Sequence, residues 1–195
     1  MSPFKKFLKS PWFPGAILAL PLIPVAVIAY ATHGYVTTKP GYESVIVMEP
    51  SYLPKGYKFT ADTAGTHLHI LNPRGIPIQK HQDLVERRIE VVSRDGKSLN
   101  VDVRVKVFVD LPVQLVRFGG ESWYADAVAP MIRETAKKAA GKIYAAQLEN
   151  PDSTDASIFG ILMAMPLIEE LNDKKVGITV KDVCLVVEGK PGICD

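Results

Sequence analysis

The chain has 195 residues, with 23 lysines and arginines against 21 aspartates and glutamates, a formal charge of +2. So small an excess argues against a nucleic-acid partner, and two cysteines, Cys184 and Cys194, make neither a disulfide framework nor a zinc-ligand set. Hydrophobic residues are 47% of the chain, an ordinary share, but a large part of them stands in one N-terminal block.

That block is the first element. Residues 1–10 carry Lys5, Lys6 and Lys9 and read as a short stub. Pro11 to Ala31 then runs about 21 residues without a charge, and a helix of that length spans roughly 30 Å, the thickness of a bilayer core. Phe13, Ile17, Leu20, Leu22, Val25 and Ile28 supply its apolar body, and Trp12 and Tyr30 stand at its ends, where amphipathic rings favour the membrane interface. Pro14, Pro21 and Pro24 kink such a helix without excluding it. Residues 11–33 are therefore read as a single-pass anchor. The lysines keep the N-terminus in the cytoplasm and place the bulk of the chain on the opposite side, in a periplasm or its equivalent. The competing reading is a signal peptide cleaved near Ala31, after Ala29-Tyr30-Ala31, which would release a secreted binding module.

Beyond a linker from Gly34 to Gly41, Tyr42 to Met48 reads as a strand buried on both faces, because its apolar run is nearly continuous. Residues 51–64 read as irregular, Gly65 to Pro73 as a turn and a short strand, and Gly75 to His81 as an extended piece. His67 and His69 point the same way in a strand and could share a metal, but spacing places no third ligand beside them, and they are read as polar residues of the strand face. Residues 89–109 form the clearest element. Leu99, Val101, Val103, Val105, Val107 and Val109 alternate with Asn100, Asp102, Arg104, Lys106 and Phe108, the period of a strand with one buried face. A three-residue loop, Arg94-Asp95-Gly96 with Gly96 left-handed, sets Val91 against Leu99 and Ile89 against Val101. The same register sets Arg88 against Asp102 and Glu86 against Arg104, both opposite-charge pairs.

Helical spacing takes over at Ser122 and lasts to about Tyr144, with Val128, Met131, Ile132, Thr135, Ala136 and Ala139 on one face and Pro130 kinking or dividing the element. Asn150 to Asp155 offers several N-caps for a second helix reaching about Leu171. Its expected core face is Ile158, Leu162, Met165, Ile168 and Leu171. Ile178 to Val187 closes the body as a strand, with Cys184 as a small core residue. Cys184 and Cys194 are near enough in the chain to pair in an oxidising compartment. Strands in one run and helices in another define α+β.

In this order the pieces resemble the SPFH, or band 7, domain of stomatins, prohibitins and flotillins. A membrane segment leads straight into the strand that ends at Met48. A Gly-x-His segment, Gly65-Thr66-His67, runs to Pro73. Ser93-Arg94-Asp95-Gly96 opens the alternating strand, Pro130-Met131-Ile132-Arg133-Glu134 opens the helix, and Gly177-Ile178-Thr179-Val180 opens the closing strand. The resemblance implies an α+β body over residues 34–195, with an SPFH-like mixed sheet and two packed helices. It implies a scaffold, not an enzyme and without a cofactor, that oligomerises on the bilayer with copies of itself or longer homologues and organises a membrane-protein client such as a protease. Arg133 and Glu134 are its candidate oligomer contacts. The long C-terminal coiled coil usual in such proteins does not follow residue 187, which leaves room for an accessory subunit of a larger complex as the alternative. The chain shows no Gly-x-Ser-x-Gly elbow, no phosphate-cradling glycine loop and no His-Glu-x-x-His.

Overall fold

The computed structural model describes Val27 and residues 33–48, 58–69 and 73–186. The expected anchor residues Trp12, Phe13, Ile17, Leu20, Leu22, Val25, Ile28 and Tyr30 lie outside the described residues, as does Cys194. Among the described residues no helix is long and apolar enough to cross a membrane. The described residues form eight strands and four α-helices in the order β1 (Gly34–Thr38), β2 (Tyr42–Met48), β3 (Lys58–Asp62), β4 (Gly65–His69), β5 (Pro73–Gln79), β6 (His81–Val92), β7 (Ser98–Val109), α1 (Pro112–Gly119), α2 (Ala129–Ala140), α3 (Ala145–Glu149), α4 (Ser153–Asp173) and β8 (Ile178–Val186). A π-helical turn, Tyr124–Val128, runs directly into α2.

The class is α+β, but the strands form three antiparallel sheets, not one mixed sheet: β1-β4, β3-β2-β5 and β6-β7-β8. The segments read as linker and as irregular contain β1 and β3, short strands whose polar residues give no alternation to read. The near-continuous apolar run of β2 has the expected consequence: it is the central strand of its sheet, and Ser44, Val45, Ile46 and Val47 are all buried.

The hairpin β6-β7 has the register that its alternation demands near the turn. Ile89 faces Val101 and Val91 faces Leu99, Gly96 has φ +81°, and the odd positions of β7 from Val101 to Val109 are buried. Its tip is tied down as well. The Arg94 N–H donates to the Ile143 carbonyl at 2.8 Å, and the Ala145 N–H donates to Asp95 Oδ1 at 2.9 Å, which caps the start of α3. Bonds from the Ser93 side chain and that N–H hold the Asp95 carboxyl below its usual range.

Further from the turn the uninterrupted register fails. Arg87 and Arg88 together oppose Asp102, a β-bulge, and Glu86 lies against Val103 instead of Arg104. Arg88 has φ +53°, and its backbone N–H, not its guanidinium, bonds Asp102 Oδ1 at 2.7 Å. The bulge shifts the buried phase of β6 from even positions, Leu84 and Glu86, to odd ones, Ile89 and Val91.

Helices α2 and α4 pack on the β6-β7-β8 sheet, α2 over β6 and α4 over β8, and against each other. All six residues expected on the core face of the first helix, Val128 to Ala139, are buried. Pro130 divides the element: the Ala129 N–H reaches back five residues to the Tyr124 carbonyl, and α2 begins there. Helix α4 lies close to β8 because position 160 is glycine. A Cβ there would stand 2.5 Å from the Val183 carbonyl oxygen. Gly160→Ala gains about 1 kcal/mol of helix propensity but forces α4 off the sheet, so a net loss of about 2 kcal/mol is expected. Denaturant unfolding of the variant measures it, and an unchanged midpoint would refute the close approach.

Candidate interaction surface

The core face of α4 is not the one its spacing suggests. The buried residues are Ala156, Phe159, Met163, Leu167 and Leu171, with Gly160 among them. Of the five residues expected inside, only Leu171 is buried and Leu162 is partly so. Ile158, Met165 and Ile168 are exposed by 42%, 69% and 37%, and Ile161, between them, by 65%. The helix is apolar nearly all round, so two stripes with the same three-and-four spacing compete. Gly160 decides between them, because only its side of the helix can approach a backbone. The sequence signal that could have found the exposed stripe is that glycine inside an otherwise strong helix.

The four exposed side chains lie on the side of α4 opposite the core. A helix that is apolar all round is normally buried, and a contiguous apolar patch of this kind marks an interaction site. Its C-terminal end is acidic, with Glu169, Glu170 and Asp173; Glu170 pairs with Lys174 at 2.7 Å. At the N-terminal end Asp152 caps the helix through the Asp155 N–H at 2.7 Å, and Asp155 Oδ1 accepts from the Gln147 amide, also at 2.7 Å.

The expected oligomer contacts, Arg133 and Glu134, lie on the exposed face of α2. Arg133 Nε donates to Glu86 Oε2 at 2.8 Å, although the arginine side chain stays 53% exposed. Glu134 lies 3.7 Å from Lys138 on the same exposed helix face. Glu86 is 8% exposed and also accepts from the Tyr124 hydroxyl at 2.5 Å, so the carboxylate is bonded on both oxygens. Burial, then the Glu86 bond, push the Tyr124 phenol above its ordinary value near 10. The sequence pairs Glu86 with Arg104; the bulge instead turns it inward, to Tyr124 and Arg133.

His67 and His69 share a face of β4, but each ring has a local partner. His69 Nε2 lies 2.5 Å from Asp62 Oδ2, and His67 Nε2 lies 3.2 Å from the Thr63 carbonyl. Among the described residues no three His, Cys, Asp or Glu side chains converge as a metal site. Cys184 is buried and takes part in a disulfide.

Both outer strands of the β6-β7-β8 sheet are bulged. Arg87 and Arg88 form the bulge on β6, and Lys181 is the extra residue on β8 opposite Lys106 and Val107. Bulges and charged side chains on edge strands discourage pairing with another chain. Pairing of another chain along β6 or β8 is thereby disfavoured.

A comparison with protein-family models finds no match, and a comparison with curated proteins finds none either.

Proposed function

We propose that the chain is a subunit of an SPFH-type membrane scaffold. Residues 11–33 anchor it in the bilayer with the N-terminus in the cytoplasm. The α+β body stands on the other side, oligomerises there, and organises or regulates a membrane protein complex such as a protease. The observation that carries the reading is α4: a long helix, apolar on every side, with one side uncovered in the single chain. An exposed apolar face of this kind is a common mark of an interaction site. Anchoring supplies the means, because subunits held in one membrane meet at a high effective concentration.

Three further features support the reading. The order of motifs resembles the SPFH domain along nearly the whole body. Tyr35 and Leu68, opposite each other across β1 and β4, are 69% and 58% exposed on the sheet that directly follows the anchor, where a lipid headgroup region would receive them. The disulfide at Cys184 suits an oxidising compartment.

Native mass measurement of the full chain in mild detergent tests the proposal. A homo-oligomer of several copies is the expected result. A monomer would overturn it, and a fixed low copy number beside a different protein would replace it with an accessory subunit.

A further inference from the structure

We infer that Cys184 is joined to Cys194 of the same chain, and that this bond straps residues 187–195 across the outer face of the β6-β7-β8 sheet, where the Asp195 carboxylate meets the guanidinium of Arg104. The inference does not depend on the scaffold reading.

The bond itself comes first. Cys184 is in a disulfide, no cysteine is free among the described residues, and the chain has one other cysteine, Cys194. The two positions are ten apart, with Gly189, Pro191 and Gly192 between them. Those are residues that let a chain turn back on itself.

The place of Cys184 comes second. It is the direct partner of Arg104 across β7 and β8, and direct partners share a face. That face carries Asp102, Arg104 and Lys106, opposite the buried odd positions of β7. Strand β8 is at the edge of the sheet, where a side chain on an uncovered face is normally open to water. Val85, the partner of Arg104 on the other edge strand, is 37% exposed. Cys184 is only 5% exposed. The segment bonded to it accounts for the difference.

Arg104 comes third. Its Nε is buried and has no hydrogen-bond partner among the described residues, and a buried cationic group without a carboxylate is costly. Its cross-strand neighbours, Val85 and Cys184, offer none. The nearest acidic groups on the face are engaged: Asp102 Oδ1 accepts from the Arg88 N–H at 2.7 Å, and Asp182 lies 4.0 Å from Lys106. Asp195 follows Cys194 directly. A disulfide holds its two Cα atoms about 5.5 Å apart, and the next Cα is about 3.8 Å further on. The Asp195 carboxylate therefore arrives within reach of the long Arg104 side chain. Glu188, the other carboxylate of the segment, lies four residues beyond Cys184, about 13 Å along the strand direction and away from Arg104.

Such a strap is sensitive to redox conditions. A dithiol converts the one disulfide into two thiols and closes to its own cyclic disulfide, so the electrons balance. The segment is then no longer tied to β8, and Arg104 is open to anions from solution. In an oxidising compartment the face is covered; in a reducing one it is bare.

The test uses the full chain in mild detergent, isolated without reductant. Peptide mapping by mass spectrometry is expected to find Cys184 linked to Cys194, in protein that runs as one chain on a non-reducing gel. Phenylglyoxal, which modifies accessible guanidinium groups, then reads Arg104 against the exposed Arg87. Reduction with dithiothreitol and capping of the thiols should speed modification of Arg104 roughly tenfold, the worth of one charge-assisted hydrogen bond, and leave Arg87 unchanged. The double variant Cys184→Ser/Cys194→Ser should show the same increase without a reductant. Asp195→Asn should show most of it with the disulfide intact, and Glu188→Gln none. A disulfide between two copies would overturn the strap and put a covalent dimer in its place. Equal modification of Arg104 in the oxidised and reduced chains would overturn it as well. An increase in Glu188→Gln and none in Asp195→Asn would remove Asp195 as the partner of Arg104.

Discussion

Phe159→Ala is expected to cost about 4 kcal/mol, and Ile161→Ala, two residues further along α4, less than about 0.5 kcal/mol. Phe159 is fully buried between α4 and the sheet. Truncating it removes a large apolar surface from the core and leaves a cavity that Gly160 and the β8 backbone, already in close approach, cannot collapse into. Ile161 projects from the other side of the helix, and alanine there even improves helix propensity. Urea unfolding in mild detergent at low protein concentration reads both, with the buried Trp123 as a fluorescent reporter. Equal losses at the two positions would mean that α4 is rotated by a third of a turn or more, and the exposed stripe would disappear with that result.

The contrast between the two helices shows what the sequence could and could not disclose. In α2 the apolar residues are interrupted by Arg133, Glu134, Lys137 and Lys138, so the core face is the only apolar one; five of the six expected residues lie in it, and Val128 is buried in the π-helical turn just before. In α4 no charge occurs from Ser157 to Ile168, so periodicity alone cannot separate Ile158-Met165 from Phe159-Met163-Leu167. Strand β7 is legible for the same reason as α2: strict alternation leaves one solution. Strand β6 is legible only as far as its bulge. The shift from Leu84 to Ile89 as buried positions breaks the period, and an aspartate facing two arginines gives no warning of it. Helix α3 has five residues and α1 eight, too few turns for a pattern, and β1 and β3 are edge strands with mostly polar or small residues. The sequence offers Arg133 as an oligomer contact and gives no sign of its bond to Glu86, which reaches it only through that bulge.

Glu86 is also where the second large effect is expected. Glu86→Ala removes the acceptor of two side chains at once, the Tyr124 hydroxyl and Arg133 Nε. A hydrogen bond to a charged group contributes about 1.5–3 kcal/mol. The arginine is half exposed and turns to water at little cost. The tyrosine hydroxyl is part-buried and loses its main partner, so the total is about 3 kcal/mol. The same network makes stability depend on alkaline pH. The phenol of Tyr124 is raised above its ordinary value near 10 by burial, then by its bond to Glu86 and the charge there. A raised value in the folded state means that the folded chain holds this proton longer than the unfolded chain does. Its contribution is therefore complete below pH 10 and declines as pH rises beyond it. Tyr124→Phe, which cannot ionise, lacks that decline. The stability difference between wild type and Tyr124→Phe should be constant from pH 8 to about 9.5 and should shrink steadily above 10, in unfolding curves collected at each pH. Glu86→Gln, which removes the charge but keeps an acceptor, should make that decline shallower. A difference that stays flat through pH 11 would show that Tyr124 titrates alike in both states, and the bulge would then have no such electrostatic consequence.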